Sequence, residues 1–329
     1  MLINGKWHQD FNPIQASDDK GRFKRQSSTF RHWITEDGQA GPTGKAGFIA
    51  EANRYHLYVA LICPWACRTL MARKLKKLES VISVSVVEPF LGDECWRFGD
   101  YPGSDQEPFY NYAYMHQLYS HADSEYTGQV TVPVLWDKKL QTIVNNESAD
   151  ILRILNRGFG SLADNNIDLY PENLQTDIDA MNERLYTAFN NGVYKAGFAT
   201  SQFAYEEAVD GVFDSLDYLQ HSLKKQQYLV GNQLTEADIR AFVTLVRFDI
   251  AYYGLFKTNL AQIRDYPAVS DYMQRIYNLP GIAETVNFDH IKQGYYSMKA
   301  LNPSGVVPKG PDMNRIMRST RRLDATTSG

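Results

Sequence analysis

The chain has 329 residues, 43% of them hydrophobic, and a net charge of -4, so it is long enough for two structural units with ample apolar surface to bury. The acidic balance argues against a nucleic-acid partner, whose phosphates need clustered Lys and Arg that outnumber local acids. Three cysteines, Cys63, Cys67 and Cys95, are too few for a disulfide scaffold and suit a reducing compartment; with no secretory signal and no apolar run near the ~20 residues that span a bilayer, the expectation is a cytoplasmic protein with no membrane partner.

Residues 1–50 are rich in Gly, Ser, Asp, Lys and Gln with scattered aromatics, and hold neither a helical nor a strand period for long, which predicts an extended N-terminal arm. Its densest basic run, Lys20, Arg22, Lys24 and Arg25, reads as a solvated loop. The segment Gly41-Pro42-Thr43-Gly44-Lys45-Ala46-Gly47 is no phosphate-binding loop: the spacing is wrong, and Ala46 stands where a hydroxyl is required.

Strand signals fill residues 51–160. The run 55–60 predicts a strand, 64–78 a helix with its basic residues late as the macrodipole prefers, and the β-branched run 81–87 a second strand. Such a βαβ unit crosses over right-handed and implies a parallel pair. Further strands are expected at 130–136 and 142–144, and a helix at about 148–156. Beyond about residue 161 strand signals vanish, and helices are predicted at 174–190, 202–224, 236–248 and 268–277, an all-helical unit reaching residue 307. Thr235-Glu236-Ala237-Asp238 has the form of a capping box. Residues 308–329 are polar, basic and Ser/Thr-rich with nothing to bury, which predicts a disordered tail.

Cys63 precedes Pro64, and proline at a first helical position is preorganised while its missing N–H costs nothing there. Cys63 is therefore the expected N-cap. Free amides and the positive end of the helix dipole would lie beside its sulfur, favouring the thiolate and lowering the thiol below its free value of about 8.5. The alternative is a small buried core residue. A thioredoxin-type dithiol needs its second cysteine at position 66, which is Ala66. Cys67 lies one residue further, where Cβ atoms on a helix are about 5 to 6 Å apart, too far for a disulfide. The resolving thiol is then expected from outside, with glutathione the abundant cytosolic candidate; Cys67 reads as a packing residue, with regulatory oxidation the alternative, and Cys95 as packing.

Pro133 just ahead of a strand requires an edge position or a cis turn, and a cis turn would expose the Val132 backbone. Asn146-Glu147-Ser148 opens the next helix, where free amides suit a carboxylate and Glu147 an ammonium, the two ends of a γ-glutamyl group. Simple capping by Asn or Ser is the equal alternative.

The chain resembles the glutathionyl-hydroquinone reductases, the Xi class of glutathione transferases. The resemblance rests on Cys63-Pro64-Trp65-Ala66, Thr131-Val132-Pro133-Val134-Leu135-Trp136-Asp137, Asn146-Glu147-Ser148, Asn191-Gly192-Val193-Tyr194-Lys195-Ala196-Gly197-Phe198-Ala199, Leu234-Thr235-Glu236-Ala237-Asp238-Ile239-Arg240 and Pro280-Gly281-Ile282-Ala283-Glu284-Thr285-Val286-Asn287-Phe288-Asp289-His290, in the expected order. It implies a glutathione transferase fold, with an α/β thioredoxin-like N-terminal domain at 51–160 that binds glutathione and an all-α C-terminal domain at 161–307, in a homodimer. By position it implies that Trp96 stacks on glutathione, that Val132, beside Pro133, gives it backbone bonds, and that Glu147 and Ser148 hold its γ-glutamyl end. Tyr194, Tyr252 and Tyr295 match the tyrosines of the acceptor pocket. Two positions depart from the family: Gln129 stands where an arginine near the glutathione carboxylate is usual, and Cys67 replaces a histidine. Glutamine cannot copy a charge-assisted fork, which predicts a loss of about 1 to 2 kcal/mol in glutathione binding unless another cation substitutes.

The implied reaction begins with the Cys63 thiolate attacking the glutathionyl sulfur of a glutathionyl-hydroquinone, which expels the hydroquinone and leaves a mixed disulfide. A second glutathione then releases oxidised glutathione in ping-pong fashion. An aryl carbanion is too unstable to leave, so the ring is expected to react as its keto tautomer, with the charge on oxygen, where tyrosine hydroxyls stabilise it and supply a proton. No metal is required, and the seven histidines show no ligand spacing. The rival readings are an omega-type thiol transferase or dehydroascorbate reductase using the same cysteine, and a noncatalytic transferase-fold module whose Cys63 would be unreactive.

Overall fold

Tyr55–Val59 is buried along its whole length, as a strand covered on both faces must be, and it lies at the centre of the structure, a computed structural model describing residues 1–9 and 16–318. In the first part of the chain the elements are β1 (Leu2–Ile3), β2 (Lys6–Trp7), β3 (Tyr55–Val59), α1 (Pro64–Leu75), β4 (Ser83–Val86), β5 (Leu91–Gly92), β6 (Cys95–Trp96), α2 (Met115–Ala122), β7 (Val134–Asp137), β8 (Thr142–Asn145) and α3 (Ser148–Arg153). The helical part comprises α4 (Gln175–Leu185), α5 (Gly192–Gly197), α6 (Gln202–Leu223), α7 (Glu236–Arg247), α8 (Tyr253–Leu255), α9 (Pro267–Tyr277), α10 (Phe288–Tyr296) and α11 (Met313–Arg318).

The main sheet has the order β4-β3-β7-β8. β3 and β4 run parallel, with His56 opposite Ser83, as the βαβ crossover through α1 requires. β7 is antiparallel to both β3 and β8. Among the described residues every strand precedes α3. Helices α1, α3 and α7 then come together across the junction. Every residue of α7 is buried, as befits a helix enclosed on all sides. Its capping box forms: Asp238 accepts the Thr235 amide at 2.8 Å, and also takes the Leu229 amide at 2.9 Å and the Tyr272 hydroxyl at 2.8 Å.

The predicted elements correspond to β3, α1, β4, β7, β8, α3, α4, α6, α7 and α9, most with shorter bounds; β8 and α9 are each one residue longer, and β7 begins later and ends one residue further on. Three of the helices run on into π turns, at Ile154–Gly158, Tyr186–Asn190 and Phe248–Tyr252. Sequence periodicity does not signal such turns, which recur where function displaces a helix. The arm holds the β1–β2 hairpin, and its scattered aromatics are anchors: Phe30 packs on Tyr119 and Tyr126, and Ile34 and Phe48 are buried. The His32 amide donates to the Val144 carbonyl at 2.9 Å and the Asn146 amide to Phe30 at 3.1 Å, so the arm pairs along β8 and covers its edge.

Two expectations are corrected. The chain beyond Val307 does have apolar surface to bury, because Met313 and Met317 of α11 are buried and the helix packs on α9; residues 319–329 of the expected disordered tail lie outside the described residues. Nor is the basic run of the arm a solvated loop throughout: Arg22 pairs with Glu207 at 2.6 Å, and Arg25 stacks on aromatic rings.

Candidate active site

Cys63 is the N-cap of α1 with extended backbone (φ -75°, ψ 122°) and Pro64 following at the helix start, the placement its sequence context predicts. Its Sγ donates to the Val132 carbonyl at 3.5 Å, and the Val132–Pro133 peptide is cis. The Val132 amide takes part in no hydrogen bond among the described residues, so the cis-proline segment presents a free donor. On the far side, Tyr119 of α2 donates to the Thr131 carbonyl at 2.8 Å and accepts from Asn146 at 3.2 Å, tying the cis-proline segment to the start of α3.

The start of α3 is a dense hydrogen-bonding centre. Glu147 is its N-cap, accepting from the Ala149 amide at 3.1 Å and from Ser28 of the arm at 3.0 Å. Ser148 accepts from Arg68 of α1 at 3.5 Å, and Arg68 also donates to Asn190 at 2.9 Å while lying 4.4 Å over the Trp65 ring. Arg68 is buried and forms no ion pair with a carboxylate among the described residues. Burial, with Arg240 nearby, pulls its guanidinium down to about 9, which leaves it cationic at neutral pH.

Arg247, the last residue of α7, reaches across the junction to the loop that carries Cys63. Its Nε donates to the Ile62 carbonyl at 2.8 Å, and Nη2 donates to Leu61 at 3.0 Å and to Cys63 at 3.4 Å. It too is fully buried and forms no ion pair among the described residues.

These charges bear on the thiol. Burial dominates and pushes the Cys63 thiol up; the amides of Ala66 and Trp65 and the guanidiniums of Arg247 and Arg25 pull the other way without overcoming it. This upward direction is opposite to the lowering that the helix start alone leads one to expect. The helix start does favour ionisation, but the half-buried sulfur is crowded by protein, and it lies 3.5 Å from the Val132 carbonyl, to which a thiol can donate. Cys95, whose thiol burial pushes up to about 12, and Cys67, buried and 3.5 Å from the Thr285 carbonyl, have the packing roles read from the sequence.

Three tyrosines from separate elements meet beside this centre. Tyr194 of α5 and Tyr295 of α10 share a hydrogen bond at 2.6 Å, and Tyr252, ending the π turn after α7, joins Tyr295 at 2.9 Å. The Tyr194 ring lies 6.4 Å from that of Trp65, two residues after Cys63. Gly294 allows α10 this approach, since a Cβ there would lie 2.6 Å from Ile62 Cδ1 and 2.5 Å from the Pro89 carbonyl. Burial pushes all three phenols up, and a negative charge on Cys63 raises Tyr194 further. They are thus neutral donors. Three hydroxyl protons serve two internal hydrogen bonds, so the chain has one donor to spare.

Of the remaining expected residues, Trp96 lies on the β5–β6 hairpin, which Cys95 ties to the Val130 carbonyl at 3.6 Å. It is only 8% exposed, so little of its indole is open for stacking. Gln129 is half-buried, and its amide donates to Gln26 of the arm at 3.2 Å. Arg25, Arg68, Tyr119 and Arg247 were not legible as site residues; the signal available for the two buried arginines was a cation within an apolar helical face. No helix among the described residues is long and apolar enough to cross a membrane, and none of their His, Cys, Asp and Glu side chains group as a metal site would.

Comparison with known proteins agrees with this geometry. Residues 62–157 match the family model of the glutathione S-transferase N-terminal domain, and 202–275 that of the C-terminal domain. The chain is 54% identical to the glutathionyl-hydroquinone reductase YqjG of Escherichia coli, over 94% of this chain and 95% of that one. It is 45% identical to the glutathionyl-hydroquinone reductase PcpF of Sphingobium chlorophenolicum, over 94% and 96%. The glutathione-bound structure of YqjG superposes with a TM-score of 0.87 at 52% identity, covering 95% of this chain and 96% of that one. The glutathione transferase Xi of Phanerochaete chrysosporium gives 0.85 at 47%, covering 90% and 95%. With both halves of the fold matched and relatives this similar over nearly its whole length, the chain belongs to the glutathionyl-hydroquinone reductases, the Xi class of the glutathione transferase family.

Proposed function

We propose that this protein removes glutathione from glutathionyl-hydroquinones, with Cys63 as nucleophile. The observation that carries the reading is the chain of neutral phenols Tyr194, Tyr295 and Tyr252 beside the nucleophile's helix, with Tyr252 and Tyr295 buried and Tyr194 half-buried. Attack of the Cys63 thiolate on the glutathionyl sulfur forms an S–S bond and breaks the C–S bond. The ring, reacting as its keto tautomer, leaves with the electron pair delocalised onto oxygen and is reduced, while the two sulfurs are oxidised to a disulfide. The spare hydroxyl proton of the phenol chain serves that oxygen. A second glutathione thiolate attacks the mixed disulfide, releasing oxidised glutathione and restoring Cys63.

In this reading glutathione lies against Val132, with its γ-glutamyl end at Glu147 and Ser148 and the edge of Trp96 nearby. A ligand amide that takes the Val132 carbonyl displaces the Cys63 thiol from its acceptor, so binding itself helps to free the nucleophile. A homodimer in the cytosol, where reduced glutathione is kept, completes the proposal. The test is mass spectrometry of the protein mixed with glutathionyl-menadiol. A single glutathionyl adduct on the native protein, absent from Cys63→Ala and accompanied by free quinol, is expected; quinol released without an adduct would overturn the mechanism.

A further inference from the structure

The arm brings a charge to the site that the reaction as written does not use. The Arg25 guanidinium carbon lies 4.8 Å from the ring centre of Trp65, 4.8 Å from that of Tyr194 and 5.5 Å from that of Phe23. Its Nε donates to Asn191 at 2.7 Å, and neither Nη takes part in a hydrogen bond or ion pair among the described residues. Its neighbours along the arm differ: Arg22 is paired with Glu207 and Arg31 with Asp150. The next residue, Gln26, accepts the amide of Gln129 at 3.2 Å, so the arm passes the position where the family's arginine is missing.

A guanidinium resting on aromatic rings and tethered through Nε has already lost much of its freedom. Its two remaining nitrogens form a fork that matches a carboxylate. The rings beneath it belong to the site, since Trp65 follows the nucleophile in α1 and the Tyr194 hydroxyl belongs to the phenol chain.

We infer that Arg25 binds a carboxylate of the conjugate, and that this protein favours glutathionyl-hydroquinones presenting one beside the scissile C–S bond. The inference rests on the proposed function of the site. That carboxylate has two sources: the glycyl end of the glutathionyl arm, for which Arg25 would supply the cation absent at Gln129, or a substituent on the hydroquinone ring.

The test compares kcat/KM of the native protein, Arg25→Gln and Arg25→Lys on three conjugates: glutathionyl-menadiol, its glycyl ethyl ester, and a glutathionyl-hydroquinone with a ring carboxylate. Arg25→Gln is expected to lose about tenfold, chiefly in KM, wherever the relevant carboxylate is present. A loss on glutathionyl-menadiol that disappears with the ester assigns the glycyl end; a loss confined to the ring-carboxylated conjugate assigns the ring. Arg25→Lys should recover only part of the loss, and the native preference should shrink with added salt because Arg25 is exposed. Unchanged constants on all three conjugates overturn the inference, and so does an equal loss on all three, which marks a general effect of the arm. Calorimetric binding of the same conjugates to Cys63→Ser and to Cys63→Ser with Arg25→Gln needs no turnover. Arg25-dependent binding without native turnover of glutathionyl-menadiol would therefore sink the reductase reading and leave this inference standing.

Discussion

Arg247 and Cys63 are 184 residues apart in the chain, yet Nη2 of the first donates to the carbonyl oxygen of the second at 3.4 Å. The same guanidinium serves the two preceding carbonyls, Ile62 and Leu61. A buried cation normally answers a buried anion. In the proposed reaction the answering charge arises in the course of turnover, first on the sulfur and then on the departing oxygen. Arg247→Gln is expected to raise the Cys63 thiol value, lower kcat by about 10- to 100-fold, and reduce stability by roughly 2 to 4 kcal/mol through the stranded carbonyls. Arg247→Lys restores charge without the fork and should recover the ionisation of the thiol better than the stability. A Gln variant whose alkylation profile matches the native one would confine Arg247 to a structural role.

Tyr295 occupies the middle of the phenol chain, bonded to Tyr194 at 2.6 Å and to Tyr252 at 2.9 Å. Tyr295→Phe breaks both bonds and should slow hydroquinone release by about 100-fold, the scale of losing a positioned proton donor. Tyr194→Phe removes one end of the chain and should cost less. Reduction of a glutathionyl mixed disulfide expels a thiolate that needs no such donor, so both variants should retain it. Equal losses in the two reactions would favour an omega-type thiol transferase.

What the sequence revealed follows from how local each signal was. Cys63 before Pro64, Pro133 before a strand and Asn146-Glu147-Ser148 at a helix start carry their geometry in adjacent residues, and all three stand where their context placed them. The tyrosines came only through motifs, because nothing local distinguishes them among the 21 in the chain. Arg68 and Arg247 become meaningful only once packing shows each buried with no ion pair among the described residues. Arg25 looked like part of a solvated run because its partners, Trp65, Tyr194 and Asn191, lie far along the chain. The direction in which the thiol is pushed is hidden from the sequence for a related reason: the dipole is local and legible, whereas the crowding that opposes it comes from residues distant in sequence.

That crowding gives a pH prediction. Only the thiolate is alkylated, and burial holds the Cys63 thiol above its usual range. Iodoacetamide labelling should therefore climb through neutral pH and level off only above the free-thiol value of about 8.5. Cys95, pushed up to about 12, contributes little in that window. A plateau already reached below pH 7 would mean that the resting sulfur is ionised after all.

Asp249 provides a stability test away from the chemistry. Burial pushes its carboxyl up to about 6, although the Ile263 amide, donating at 2.8 Å, opposes the shift. Between its ordinary value of 3.8 and about 6, the folded state holds a proton that the unfolded state has lost. The stabilisation from this group is thus complete below the lower value and is lost as pH rises through the upper one. The separation corresponds to about 3 kcal/mol. Asp168 and Asp179, held low by hydrogen bonds and nearby arginines against the opposing effect of burial, act in the opposite direction, so the informative quantity is the difference between variants. Asp249→Asn keeps an acceptor for the Ile263 amide and removes the charge. Its advantage over the native protein in urea unfolding should grow by roughly 2 kcal/mol between pH 4.5 and 7.5. An advantage that stays constant over that range would show that Asp249 ionises in the folded protein as freely as in the unfolded chain.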